Sequence, residues 1–137
     1  TSTVRALIDA ADHLVIPLSF GGELTDRESA SDIAAELWNA QRRAVVLTDG
    51  PRGAHAAKSP ESVQHVSAFD TPVVDTTGCG DAFHGAYAWA LTRGEDLVTR
   101  VQIASAAAAV VAALPPQAKR VPSREIIDQL LAAKGPL

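Results

Sequence analysis

A carboxylate that follows a Gly-x-Gly turn can take a proton from a hydroxyl while bare backbone holds the group which that hydroxyl attacks. The chain offers this arrangement at Gly78-Cys79-Gly80-Asp81. Glycines allow a sharp turn and close approach of a second molecule to the main chain. The apolar stretch after them reads as a helix. The first N–H groups of a helix lack partners inside it, and its dipole makes that end positive. Such an end attracts phosphate. An acid beside an anion site is a poor choice for binding alone. It suits a general base, Asp81, next to amides that hold a phosphoryl group. Spacing by itself also allows a plainer structure, a turn with Asp81 as N-cap. Two other phosphate motifs are excluded. There is no Gly-x4-Gly-Lys-Ser/Thr, and Gly85 falls five residues after Gly80, where the dinucleotide fingerprint needs a spacing of about three.

A base and an anion turn need a rigid frame, and the flanking sequence alternates strands with helices. Val4, Leu7, Ile8 and Ala11 predict a helix over 3–12. Leu14-Val15-Ile16 reads as a short buried strand ending at Pro17, and Gly21-Gly22 breaks the chain. Thr25-x-x-Glu28 predicts a capping box that opens a helix running to about Ala40, with Ile33 and Leu37 on one face. Ala44-Val45-Val46-Leu47 is a continuous apolar run, as a strand buried on both faces requires. Asp49 to Gly53 is a turn, after which Ala54 to Ala57 pairs back. Val63 to Phe69 is a further strand, and Val73-Val74 closes a strand just before the glycine turn. The helix after that turn runs from Ala82 to Thr92, with Phe83, Ala86, Ala90 and Leu91 inward, and Gly94 ends it. An alanine-packed helix from Asp96 to Ala113 is stopped by Pro115-Pro116. Ser123 caps a last helix that turns Ile126, Ile127, Leu130 and Leu131 inward. The alternation predicts an α/β architecture.

The 137 residues suffice for one domain with its own core. An apolar content of 47% marks a globular chain, not a disordered one. A net charge of −4 without a basic stripe argues against nucleic acid as a partner. No apolar run approaches the roughly 20 residues of a membrane span, and no secretory signal is visible. The single cysteine cannot form an internal disulfide, which points to a reducing cytoplasm. The absence of methionine and the opening Thr1-Ser2-Thr3 point to processing or to a piece of a longer protein.

The stretch Asp75-Thr76-Thr77-Gly78-Cys79-Gly80-Asp81-Ala82-Phe83-His84-Gly85-Ala86 resembles the C-terminal signature of the ribokinase/PfkB carbohydrate kinases, Asp-Thr-x-Gly-Ala-Gly-Asp-x-Phe. The order of elements fits the C-terminal half of that family over nearly the whole chain. The resemblance implies a three-layer ribokinase-like sandwich, with a central, mostly parallel sheet and helices on both faces. Residues 1–137 are then its nucleotide-binding and catalytic portion, and the N-terminal half with most of the sugar pocket and the lid is not in this chain. It further implies ATP with Mg2+ as phosphoryl donor, a sugar as acceptor, and a homodimer for the complete protein. Carried over by position, the amides of Gly78, Cys79 and Gly80 form an anion hole for the γ-phosphate, and Asp81 is the catalytic base. Asp75 and Thr77 correspond to residues that help bind a monovalent cation such as K+ in some members. Thr48-Asp49-Gly50-Pro51-Arg52-Gly53 resembles the family's Thr-x-Gly-x-x-Gly segment along the nucleotide, which assigns Thr48, Gly50 and Gly53 to that ligand. By pattern alone the same residues read as a hairpin turn.

Two departures from the family stand out. Where members carry Asn-x-x-Glu after a strand, this chain has Leu18-Ser19-Phe20-Gly21-Gly22-Glu23, without the Asn and with Glu23 only approximately in place. Where members have a glycine-containing loop near the cation and the adenine, this chain has Leu114-Pro115-Pro116-Gln117-Ala118-Lys119-Arg120. Cys79 starts a helix, where a thiol pKa can fall. A partner base at His84 is five residues on and off its face, so only the backbone N–H of Cys79 is expected to work. The four histidines lie on separate elements without zinc-binding spacing, and Trp38 and Trp89 read as core or interface residues.

Overall fold

The computed structural model describes residues 2–134. The chain divides into two compact units, one ending at Val66 and one beginning at Ser67. The first unit opens with helix α1 (Ser2–Ala10) and strand β1 (His13–Pro17). Helices α2 (Leu18–Thr25) and α3 (Ala30–Glu36) follow. Strand β2 (Ala44–Thr48), a 3₁₀ turn over Gly50–Arg52, and strands β3 (Ala54–Ser59) and β4 (Ser62–Val66) complete it.

These strands form one sheet in the order β1-β2-β3-β4. β1 and β2 run parallel, with Leu14 opposite Val45 and Ile16 opposite Leu47. β2 with β3, and β3 with β4, run antiparallel. The sheet is thus mixed where the resemblance implied mostly parallel strands. The reason is local: the turns at Asp49–Gly53 and Pro60–Glu61 reverse the chain directly, and only the α2–α3 connection makes a parallel crossover. The apolar run of β2 is buried on both faces, with Val45, Val46 and Leu47 all 0% exposed. On one face Ile8, Leu14, Ile33, Ala34, Leu37, Val45, Leu47 and Ala57 form a single cluster. Each of the larger side chains contributes about 1.5–3 kcal/mol on burial.

Several local expectations are corrected. Gly21-Gly22 does not break the chain; both glycines lie inside α2. A Cβ on Gly21 would stand 2.8 Å from Ile33 Cγ2 and 3.3 Å from Leu47 Cδ2, so glycine is what lets α2 lie against its neighbours. Thr25 does not open a capping box. It ends α2 and donates its hydroxyl back to the Gly21 carbonyl at 2.8 Å. The cap of α3 is Ser29, whose Oγ accepts the Asp32 N–H at 3.1 Å, and the helix ends at Glu36, with Leu37 as its C-cap, rather than near Ala40. Ile33 and Leu37 do share the buried face. Arg42 is 5% exposed and bonds the carbonyls of Leu37 (3.1 Å), Ile8 (2.8 Å) and Ala11. It places a cation on the carbonyl ends of α1 and α3, where the helix dipoles favour one.

In the second unit an extended segment leads to helix α4 (Cys79–Thr92), followed by α5 (Leu97–Ala112), a 3₁₀ turn over Pro116–Ala118 and α6 (Arg124–Lys134). Val73-Val74 does not end a strand, and β4 already stops at Val66. The N–H groups of Val74 and Asp75 instead both donate to the Ala112 carbonyl at the end of α5, at 2.8 and 3.1 Å. α4 begins three residues before the expected Ala82. Its buried residues are Phe83, Tyr87 and Ala90, while Leu91 is exposed. Ala90 packs with Phe69, Ile103, Ala106, Ala107, Ala109 and Ile127. The caps fall where expected: the Asp96 carboxylate accepts the Thr99 N–H at 3.0 Å, and Ser123 Oγ accepts the Ile126 N–H at 3.3 Å. No helix among the described residues is long and apolar enough to cross a membrane.

Candidate active site

The chain enters α4 through Gly78, which has φ 83° and ψ −2°. A side chain in this left-handed region costs about 1–2 kcal/mol, so the residue is glycine for its backbone. Cys79, Gly80 and Asp81 become the first three helical residues. Asp81 is therefore not the N-cap, and the plainer reading of the motif does not hold. Its carboxylate makes no hydrogen bond or ion pair among the described residues. It lies in the first turn, where the dipole favours an anion, and it lines a cleft of about 620 Å³ within the second unit. Ala86, Ile103, Ala107 and Val111 make up part of the apolar wall of that cleft, and Thr77 and Lys119 add polar groups.

The amides of the turn fall into two sets. Ala82 N–H bonds the Gly78 carbonyl at 2.9 Å, the first bond of the helix proper. Cys79 N–H donates to the Thr76 carbonyl at 3.2 Å. This corrects the expectation of three open amides at Gly78, Cys79 and Gly80. Closing the turn engages the middle one, and the N–H groups of Gly78, Gly80 and Asp81 are those without a protein acceptor among the described residues. Burial pushes the Cys79 thiol up from its ordinary pKa, with a nearby Lys119 opposing it, which is the opposite direction from the lowering that a helix N-terminus can give. His84 turns its Nδ1 to the Gly80 carbonyl at 2.7 Å.

Asp75 and Thr77 are brought together. Asp75 Oδ1 accepts both the Thr77 N–H (3.2 Å) and its hydroxyl (3.0 Å). These bonds, the Thr77 N–H first, hold the Asp75 carboxyl below the usual carboxylate range. A metal ion does not fit here as expected, because Lys119 already meets these oxygens. Its Nζ donates to the main-chain carbonyls of Asp75 and Val111, both at 2.6 Å, and stands 3.4 Å from Asp75 Oδ2. Lys119 is the residue that sequence reasoning missed: its stretch, Leu114 to Arg120, stands out as a departure from the family's loop near the cation, but residue type alone does not say that its ammonium reaches Asp75. For Mg2+, Glu23 sits on α2 with its side chain exposed, and no three His, Cys, Asp or Glu side chains gather among the described residues. Mg2+ keeps several waters and is held largely by phosphate oxygens, so the donor set fits a Mg2+ carried in on a nucleotide and no protein cage.

Thr48, Gly50 and Gly53 belong to the first unit. Thr48 ends β2, Gly50 opens the 3₁₀ turn with φ 54°, and Gly53 follows the turn with φ 95°. Asp49 N–H donates to the Gly53 carbonyl at 2.8 Å, and Arg52 pairs with the Asp49 carboxylate through two bonds of 2.8 and 2.6 Å. His55 and His65, expected on separate elements, are cross-strand partners with ring centroids 5.1 Å apart. His65 Nε2 also lies 2.7 Å from the Arg52 carbonyl. Trp38 packs on the core of the first unit, whereas Trp89 is half-exposed with the guanidinium of Arg124 4.7 Å from its ring centre.

Residues 11–118 match the family described as pfkB family carbohydrate kinase. A 5-dehydro-2-deoxygluconokinase of Bacillus subtilis (strain 168) is 31% identical over 91 residues, which cover 66% of this chain and 28% of that protein. Ribokinase of Thermotoga maritima superposes with a TM-score of 0.78 at 23% identity, over 91% of this chain and 43% of the other. A fructokinase double mutant of Vibrio cholerae O395, solved with fructose, ADP and potassium ion bound, gives 0.84 at 26% identity, over 95% and 44%. The chain thus spans less than half the length of these relatives. With most of its length matched by the family and its fold shared with these kinases, the chain belongs to the pfkB family of carbohydrate kinases and is ribokinase-like.

Proposed function

We propose that this chain is the nucleotide-binding and catalytic portion of an ATP-dependent sugar kinase. One observation carries the reading. An unpartnered carboxylate, Asp81, lines a cleft in the same helical turn as the open amides of Gly78 and Gly80. In the reaction, Asp81 accepts the proton of a sugar hydroxyl as its oxygen bonds to the γ-phosphorus of ATP. The bond from that phosphorus to the β–γ bridging oxygen breaks, and ADP leaves. The Gly78 and Gly80 amides, at the positive end of α4, stabilise the charge on the phosphoryl oxygens as it moves. Cys79 joins them by releasing Thr76. Transfer of this kind depends on positioning and charge stabilisation more than on covalent help. Mg2+ supplies further charge neutralisation on the phosphates when it is bound with the nucleotide. Thr48, Gly50 and Gly53 are assigned to the nucleotide through their likeness to the family segment. A cytoplasmic setting and a homodimer of the complete protein go with this reading.

Replacing Asp81 by Asn keeps the shape and removes the base. In the complete enzyme Asp81→Asn is expected to lower turnover by about 10²–10⁴-fold, with ADP affinity nearly unchanged. Turnover close to that of the unaltered enzyme would reject the role. A second reading has one observation behind it. The stretch around Glu23 lacks the family's Asn-x-x-Glu, and Glu23 sits on the exposed side of a helix. A chain so altered could bind nucleotide or a partner without acting on sugar. ATP consumption against a panel of sugars separates the two, since only the kinase consumes ATP in proportion to acceptor.

A further inference from the structure

We propose that the Lys119 ammonium takes the place of a monovalent cation beside the glycine turn, so that the complete protein needs no potassium. The inference rests on the kinase reading for its consequence, while the occupancy itself stands on geometry. An ammonium has three donors. Lys119 directs Nζ at three oxygens: the Asp75 and Val111 carbonyls at 2.6 Å and Asp75 Oδ2 at 3.4 Å. Two main-chain carbonyls and one carboxylate are the oxygens that a hard cation takes. Both side chains are about four-fifths covered, with 21% and 22% exposed. A second cation among these oxygens would meet the ammonium's charge at contact distance.

The same oxygens connect directly to the turn. Asp75 Oδ1 holds the Thr77 N–H and hydroxyl, and the next residue is the left-handed Gly78. Val111 lies beneath Gly78, where a built Cβ would be 3.9 Å from its Cγ1. The Val74 and Asp75 amides bond the neighbouring Ala112 carbonyl. Lys119 therefore ties the end of α5 to the segment that sets the open amides. It is a positioning residue: its Nζ bonds the Asp75 and Val111 carbonyls and so fixes the segment that leads into the turn.

The test compares the complete protein and its Lys119→Ala variant in potassium chloride and in tetramethylammonium chloride at equal ionic strength. The readouts are melting temperature without nucleotide and affinity for ADP. The unaltered protein is expected to give the same melting temperature and ADP affinity in both salts. Lys119→Ala removes charged hydrogen bonds, so its ADP affinity is expected to fall by about tenfold in tetramethylammonium and to recover in potassium. Its melting temperature should rise with potassium where that of the unaltered protein does not. A potassium-dependent gain in the unaltered protein overturns the proposal, and so does a folded variant indifferent to potassium. If the variant does not fold, the unaltered protein decides alone. Failure of the unaltered protein to bind ADP in either salt defeats the kinase reading instead, and the melting comparison still judges the ammonium's place.

Discussion

Gly80 has neither of the usual internal reasons to be glycine. Its φ is not left-handed, and a built Cβ would meet nothing within 4 Å. It also sits in a helix, where glycine is weaker than alanine by about 0.5–1 kcal/mol. A molecule approaching its backbone from outside would account for it, as the anion-site reading requires. Gly78, two residues earlier, is the contrasting case, with φ 83° and a turn that depends on it. The two substitutions are expected to part. Gly80→Ala should stabilise the fold by up to about 1 kcal/mol and weaken ATP binding. Gly78→Ala should destabilise it by about 1–2 kcal/mol. Thermal unfolding paired with calorimetric titration of ATP–Mg2+ checks both, and a Gly80→Ala variant that keeps full ATP affinity counts against the anion site. The motif itself was legible in the sequence. That Asp81 is the third helical residue and not the cap was not legible, because it follows from the backbone angle of Gly78 and not from residue type.

Caps divide the elements into those that could be read and those that could not. Asp96 and Ser123 each precede an apolar-periodic run with no rival nearby, and both cap the helix that follows. Between α2 and α3 two candidates compete, Thr25 and Ser29. The left-handed Asp26, with φ 55°, ends α2 after Thr25 and leaves the cap to Ser29. Linear spacing does not reveal such a choice. The Asp96 cap also carries a pH signature. The Thr99 N–H, first among its partners, holds the Asp96 carboxyl below its ordinary value in the folded state. A depressed folded pKa means stability that is present above the unfolded value of about 3.9 and lost as pH falls through the folded one. Asp96→Ala is therefore expected to cost about 1 kcal/mol at neutral pH, and the gap to the unaltered chain should shrink steadily below about pH 4. Parallel melting curves across that range check it. A gap that stays constant into acid would mean that the carboxylate's charge contributes nothing to the cap.

At the scale of the whole molecule, the α/β class could be read because β2 is a continuous apolar run between helices, and the family could be read because its signature is long. The segment at Val73-Val74 could not. Its β-branched residues look like a strand, but its amides bond the Ala112 carbonyl, a partner far along the chain that no local pattern announces. The ammonium of Lys119 went unread for the same reason. The chain itself covers 28% of its 5-dehydro-2-deoxygluconokinase relative and 44% of the fructokinase. It carries the proposed base, the glycine turn and the strand-end residues that the resemblance assigns to the nucleotide, while the resemblance places most of the acceptor pocket in the other half of the family's fold. A base without a held hydroxyl loses the advantage of orientation, which accounts for roughly 7–11 kcal/mol of the barrier in well-aligned reactions. The 137-residue chain, once circular dichroism shows its helices formed, is therefore expected to phosphorylate sugars far more slowly than the complete protein under the same ATP–Mg2+ conditions. Product formation by the two, measured across one panel of sugars, checks this. Equal rates would mean that the acceptor is held within these residues, and the division of labour drawn from the family would fail.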